Sequence, residues 1–208
     1  MNNLNASIFS KSHIYLDREF EFILRGIYMC YQNMLVDYAE VENNENKIRN
    51  RLYRDYLKKV SVKQSLGLEH YIFHPEVPEV DAEYNESART DFMVYNSLTY
   101  VKDELAYYII ECKRIDGSKT LNDKYTENGI DRFIQDRYPS NRKVNAMLGF
   151  IVKPLKINEN SLKIPSLKKY PFIDDFEFSY TSSHTTNRKI KVTLYHLMLD
   201  FSTIIKKK

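Results

Sequence analysis

The feature that most constrains this chain is one uninterrupted apolar run, Leu105-Ala106-Tyr107-Tyr108-Ile109-Ile110, which leads into Glu111-Cys112-Lys113. A strand with one wet face alternates apolar and polar residues. A run without alternation needs cover on both faces, as the central strand of an α/β sheet has. The strand is predicted over 104–115, and it requires helices on either side. Phe20, Ile23, Leu24, Ile27, Cys30 and Met34 recur at helical spacing, so a helix is predicted from Asp17, a candidate N-cap, to about Tyr38. A second helix is predicted from Asn44, again a candidate cap, to about Lys59. Ile48, Leu52, Tyr56 and Leu57 form its buried stripe, and Lys47, Arg49, Arg51 and Arg54 form a basic exposed face.

The other strands are shorter signals. Tyr71, Ile72, Phe73 and Val77 suggest a strand from about Glu69, weakened by Pro75 and Pro78. Residues 81–87 are turn-like, and 89–95 alternate as a second strand with Asp91 and Met93 on one face and Phe92 and Val94 on the other. Helical spacing over 121–138 followed by an apolar strand over 146–152 makes a strand–helix–strand crossover, which implies parallel neighbours. The stretch 153–175 carries three prolines and is predicted to be irregular with a short helix; late strands are predicted over 176–180 and 190–201. The expected fold is α/β: a central mixed four-stranded sheet flanked by helices, extended by C-terminal strands. Within one domain over 1–208, residues 1–40 form a helical extension, 41–152 the core and 153–208 an elaboration.

Composition supports a single self-sufficient core. Of 208 residues, 43% are apolar and 13% aromatic, which excludes a disordered chain despite 28% charged residues. No apolar run approaches the ~20 residues that cross a bilayer, and Lys11, Asp17, Arg18 and Glu19 interrupt the start, so neither membrane insertion nor secretion is expected. Two cysteines outside any CxxC pair fit a reducing, cytoplasmic setting. The net charge is only +3, but residues 137–170 hold eight Lys or Arg against Glu159 alone. Such a block is either a solvated lysine-rich loop or a surface that meets a polyanion.

The chemistry concentrates at Glu111 and Lys113. Period two puts both on one face of the strand and turns Cys112 to the other. A carboxylate and an ammonium at the end of a buried strand are costly unless something uses them. Asp91 lies twenty residues earlier on the preceding strand, and a hairpin-like return brings it beside Glu111. Two carboxylates so placed repel by roughly 4 kcal/mol at about 4 Å and an effective dielectric near 20; one takes a proton, or a cation sits between them. Mg²⁺ or Mn²⁺ suits such a pair, with Lys113 beside the metal-bound water or the charge developing on a phosphate. The bland alternative is an ordinary salt bridge at a strand end. Only one other acid-x-Lys triplet exists, Glu45-Asn46-Lys47, at a helix start.

Arg89-Thr90-Asp91-Phe92, then Tyr108-Ile109-Ile110-Glu111-Cys112-Lys113-Arg114, then the helix with Tyr125, Gly129, Ile130, Arg132 and Phe133, resemble the PD-(D/E)XK nuclease superfamily, the restriction-endonuclease-like fold. The resemblance covers roughly residues 40–152. It implies an αβββαβ core, catalytic positions at Asp91, Glu111 and Lys113, and a metal held by Asp91 and Glu111 with Glu45 as helper. Thr90 stands where the family pattern has proline, so Glu79 and Asp81 compete for the first acid. The implied activity is Mg²⁺-dependent cleavage of nucleic-acid phosphodiesters, DNA ahead of RNA, by analogy in restriction, phage defence or repair; a second copy or a partner subunit stays open. The alternatives are a non-cleaving binding or regulatory protein on the same scaffold, and a structural protein in which the acids only form salt bridges.

Arg89, Arg114, Lys47, Arg51, Arg142 and Lys143 are the candidate phosphate contacts. Tyr125 is expected in the core and Gln135 in solvent. Cys112 has no histidine partner and is expected as inert filler. His70 and His74 lack a third ligand, which argues against zinc. No Gly-rich phosphate loop is present, so ATP use is not expected.

Overall fold

The computed structural model describes residues 6–80 and 84–206, with side chains from residue 17 onward except that of Ser87. Its elements are α1 (Ala6–Asp37), α2 (Glu45–Leu52), α3 (Val60–Ser65), β1 (Tyr71–Val80), β2 (Glu86–Asn96), α4 (Ser97–Tyr100), β3 (Tyr107–Ile115), α5 (Lys119–Tyr125), α6 (Asp131–Ile134), β4 (Val144–Ile151), α7 (Ile157–Ser161), β5 (Lys168–Lys169), β6 (Ser179–Thr185) and β7 (Lys191–Asp200). The candidate Asp81 lies outside the described residues.

One mixed sheet of seven strands runs in the order β1-β2-β3-β4-β7-β6-β5. β3 and β4 are parallel, as are β4 and β7, and the remaining neighbours are antiparallel. The late strands extend the sheet beyond β4, as expected: β7 pairs along the whole of β4, and β6 and β5 continue it into one seven-stranded sheet. No helix among the described residues is long and apolar enough to cross a membrane.

The unbroken apolar run of β3 is explained by its two neighbours in depth. Tyr108, Ile110 and Cys112 pack with Phe20, Ile23 and Ile27 of α1, while Ile109 and Ile115 pack with Tyr125, Ile130 and Phe133 on the opposite face. Alternation along β4 and β7 follows the same division: Ala146 and Leu197 face α1, and Met147 and Met198 face α5–α6.

Several predicted boundaries shift for physical reasons. α1 begins at Ala6, so Asp17 lies within the helix rather than capping it. Leu105 is exposed, and β3 starts only at Tyr107, where pairing with β2 begins. β1 runs through Pro75 and Pro78 at the edge of the sheet, where prolines are tolerated. The late strand predicted over 176–180 falls instead at β6: Phe176 packs into the core before the strand starts, and the polar Ser179–Thr185 run is held in register by β7. Asn44 does cap α2, its side chain accepting the Lys47 N–H at 3.1 Å. The helix begun by α2 ends in a π-helical turn, Tyr53–Leu57, and a second π-helical turn, Thr126–Ile130, joins α5 to α6.

Candidate active site

β2 and β3 pair from Tyr95↔Tyr107 to Phe92↔Ile110. Beyond that point the next residues on each strand turn to the work of the site. The Asp91 carboxylate accepts the backbone N–H of Cys112 at 2.7 Å through Oδ2, a side chain in place of a ladder hydrogen bond. Its Oδ1 accepts from the Arg49 guanidinium, which also donates to Glu76 at 2.6 Å. Glu111 and Lys113 share the face turned to α5–α6, as period two requires, and Lys113 Nζ donates to Glu111 Oε1 at 2.5 Å. From the start of α2, Glu45 reaches the same lysine at 3.4 Å through Oε1 and accepts the Arg114 N–H at 2.9 Å through Oε2. Thus Asp91, Glu111, Lys113 and Glu45, taken from three separate elements, belong to one connected cluster.

Burial sets its electrostatics. Glu111 is 1% exposed, Asp91 8% and Lys113 9%. Burial, and then the nearby Asp91 charge, push the Glu111 carboxyl up to about 7, against the opposing pull of Lys113 and Arg132. For Lys113 burial works against the charged form, but Glu111, Glu45 and Asp91 outweigh it and the ammonium is held above its ordinary range. Lys113 thus stays an ammonium throughout the neutral range, and Glu111 is the member of the pair that gains or loses a proton there.

Three partners of the acids were not predicted. Arg49 was assigned to an exposed basic face, yet it is 3% exposed. It sits one helical turn after Glu45, so both reach the same strand ends, and that spacing was the available signal. Arg132 donates to Glu111 at 3.1 Å and to the Tyr138 hydroxyl oxygen at 2.7 Å; Tyr138 donates to Glu111 Oε2 at 2.8 Å. Nothing in sequence spacing marks Tyr138. Gly129, in the π-helical turn, has a clearer role. A Cβ there would meet the end of Met147 and lie 3.6 Å from Lys113 Cγ, so glycine lets this helix rest on the lysine stem.

The cluster opens on a cleft of about 390 Å³ lined by Glu45, Lys113, Arg114, Lys124, Asn128 and Arg132. Four cations against one acid give this cleft a positively charged lining.

The remaining candidates lie elsewhere or are differently engaged. The Arg114 side chain donates to Asn43. Arg89 pairs with Glu86 and Lys47 with Glu42. Arg51 donates to the Glu40 carbonyl and stacks over Tyr38, and with Lys47 lines a different cleft of about 570 Å³. Arg142 packs over the Tyr108 ring, on the sheet face away from Glu111. Lys143 is exposed on a third cleft. Glu79 is pushed up to about 7 by burial, on β1. Tyr125 is buried as expected; its hydroxyl is 2.9 Å from His196 Nδ1, the start of a buried polar chain through Ser182 (2.8 Å) to His184 (2.7 Å). Gln135 is exposed, and burial raises the Cys112 thiol far above its ordinary range.

A hard divalent cation takes carboxylate and carbonyl oxygens, and Asp91, Glu111, Glu45 and the Cys112 carbonyl, which accepts from Lys113 at 2.9 Å, are donors of that kind. The donor chemistry fits Mg²⁺ or Mn²⁺. The spacing differs: among the described residues no group of three acidic, His or Cys side chains is placed to hold a metal ion. Each carboxylate oxygen of Asp91, Glu111 and Glu45 already accepts from a cation or a backbone or hydroxyl donor.

Compared with models of known protein families, with curated proteins and with solved structures, the chain matches none.

Proposed function

We propose that this chain is a metal-dependent nuclease of the PD-(D/E)XK kind, hydrolysing phosphodiester bonds of nucleic acid, DNA ahead of RNA. The observation that carries this reading is the convergence of Asp91, Glu111, Glu45 and Lys113 beside a cation-lined cleft. The chain order α2, β1, β2, β3, α5–α6, β4, with the short helices α3 and α4 interposed, supports the αβββαβ core that the resemblance implies. In this reading Asp91, Glu111 and Glu45 hold Mg²⁺ or Mn²⁺, which supplies Lewis-acid stabilisation of the phosphate and an acidified water. Lys113 gives up its hydrogen bond to Glu111 and faces the scissile phosphate. Arg132, Lys124 and Arg114 line the cleft that receives the anion. A role in restriction, phage defence or repair is an extension by analogy, because a fold does not fix a pathway.

The test is incubation of plasmid and of labelled oligonucleotides with the purified chain and Mg²⁺ or Mn²⁺. Nicking that needs the metal and disappears in Asp91→Ala and Lys113→Ala supports the assignment; cleavage that survives both substitutions rejects it.

The internal pairing of every acid oxygen favours a second reading, a non-cleaving nucleic-acid-binding or regulatory protein on the same scaffold. A chain that binds oligonucleotide with metal present, yet leaves it intact, would be of that kind.

A further inference from the structure

A cleft larger than the one at Lys113 lies beyond the end of α6. It is a groove of about 1110 Å³, walled on one side by residues 139–143 before β4 and on the other by the β6–β7 hairpin. Its charged lining is Lys143, Arg188, Lys189 and Lys191 against the single acid Asp136. That acid is committed: Asp136 Oδ2 accepts the Arg188 backbone N–H at 2.7 Å, and the guanidinium lies 3.8 Å from its other oxygen. Lys143, Lys189 and Lys191 are exposed, and no carboxylate of the described residues pairs with them.

The two walls are fixed to one another. The hairpin docks on the end of α6 through the Asn187 N–H to the Ile134 carbonyl at 2.8 Å, and the Thr193 N–H donates to the Lys143 carbonyl at 2.9 Å. Lys143 and Lys189 both hold left-handed backbone conformations, with φ of 61° and 64°, which residues with a Cβ rarely adopt. Like charges are thus held near one another on a rigid frame with only solvent and counterions to screen them. A single small anion would neutralise one of them. A polymer with a charge at every repeat matches the set and releases the counterions of all.

The groove also connects to the candidate site. Pro139 in its wall follows Tyr138, which donates to Glu111, and Asp136 at its end follows the helix that carries Arg132. We propose that this groove binds the phosphodiester backbone of a nucleic-acid strand and guides it toward the Glu111–Lys113 cleft. The choice of ligand rests on the nuclease reading; the charge and geometry of the groove do not. The β6–β7 hairpin, outside the basic block at 137–170, supplies most of the contacts.

The experiment measures binding separately from cleavage. Fluorescence anisotropy of labelled single- and double-stranded oligonucleotides is recorded in EDTA over a salt series, for the native chain and for the triple variant Lys143→Gln/Lys189→Gln/Lys191→Gln. All three side chains are exposed, so an unchanged thermal melt is expected. The double variant Lys189→Glu/Lys191→Glu serves as a second, independent reading. The triple variant is expected to bind about tenfold more weakly or worse, with a log K against log salt slope smaller by about 2 to 3. An unchanged slope in both variants overturns the proposal, as does failure of the native chain to bind any oligonucleotide. So does equally tight, equally sensitive binding to phosphatidylserine vesicles, which would make the groove a general basic surface. A reduced slope with no cleavage under any metal leaves the groove standing and removes the nuclease reading; cleavage with an unchanged slope does the reverse.

Discussion

Lys113 and Glu111 stand two residues apart on one face of β3, and their charged groups are 2.5 Å apart. The same ammonium is 3.4 Å from Glu45, so one cation serves two of the carboxylates assigned to the metal. A bound divalent ion and this ammonium then compete for the same acids. Lys113→Met is expected to abolish cleavage while tightening Mn²⁺ binding several-fold, read by isothermal titration without substrate. Weaker Mn²⁺ binding in the variant would separate Lys113 from the metal site.

Arg49 is the cation that neutralises Asp91 inside the protein, with Glu76 as its outer partner. Removing one member of a buried pair strands the other, at a typical cost of about 3–5 kcal/mol. Arg49→Met is expected to lose stability of that order in urea unfolding, and Glu76→Gln, at a half-exposed partner, well under half as much. Equal losses would show that Arg49 acts on its solvent side.

The acid limb of stability should carry two opposed slopes. Glu111 keeps its proton to about pH 7 in the folded chain, against an ordinary value of 4.5. Between those values the native state binds a proton that the unfolded state has released, so stability falls as pH rises, by about 3 kcal/mol in total. His196, buried and beside His184, is pushed down from 6.5 to about 3. There the unfolded state binds the extra proton, and stability is lost as pH falls through that window. Glu111→Gln should remove the first slope and leave the second, and His196→Gln the converse, in chemical denaturation from about pH 4 to about pH 7.5. A slope that persists in its own variant belongs to another group.

Gly129 sets how closely the helix sits on Lys113. Gly129→Ala is expected to cost no more than about 1 kcal/mol, because the new Cβ meets only the flexible end of Met147 and the substitution gains helix propensity; in a Met147→Ala background that cost should shrink if the collision is its cause. Additive losses in the double variant would place the cause in the backbone instead.

How much of this was legible in the sequence varied with the kind of signal. The apolar run before Glu111 announced a strand covered on both faces, and period two placed Glu111 and Lys113 together, because both rules are local. Asn44 was legible as a cap for the same reason. Arg49 was not, since helical spacing shows which residues share a face but not which face a strand-borne acid will claim. The polar strand β6 exists because β7 pairs with it, a fact that its own run of Ser, Thr and His does not carry. The π-helical turn at Thr126–Ile130 puts its buried apolar residues Tyr125 and Ile130 five apart, an irregular step that helical periodicity alone does not distinguish from ordinary scatter.

Both margins of the sheet are poor templates. One is β1, with prolines at positions 75 and 78; the other is β5, two exposed lysines long. Neither offers a neighbouring molecule a run of free amide groups on an uncharged, proline-free backbone. Any assembly of this chain with itself must therefore proceed by matching side-chain surfaces, and crowding it at high concentration should not seed fibrils through strand addition.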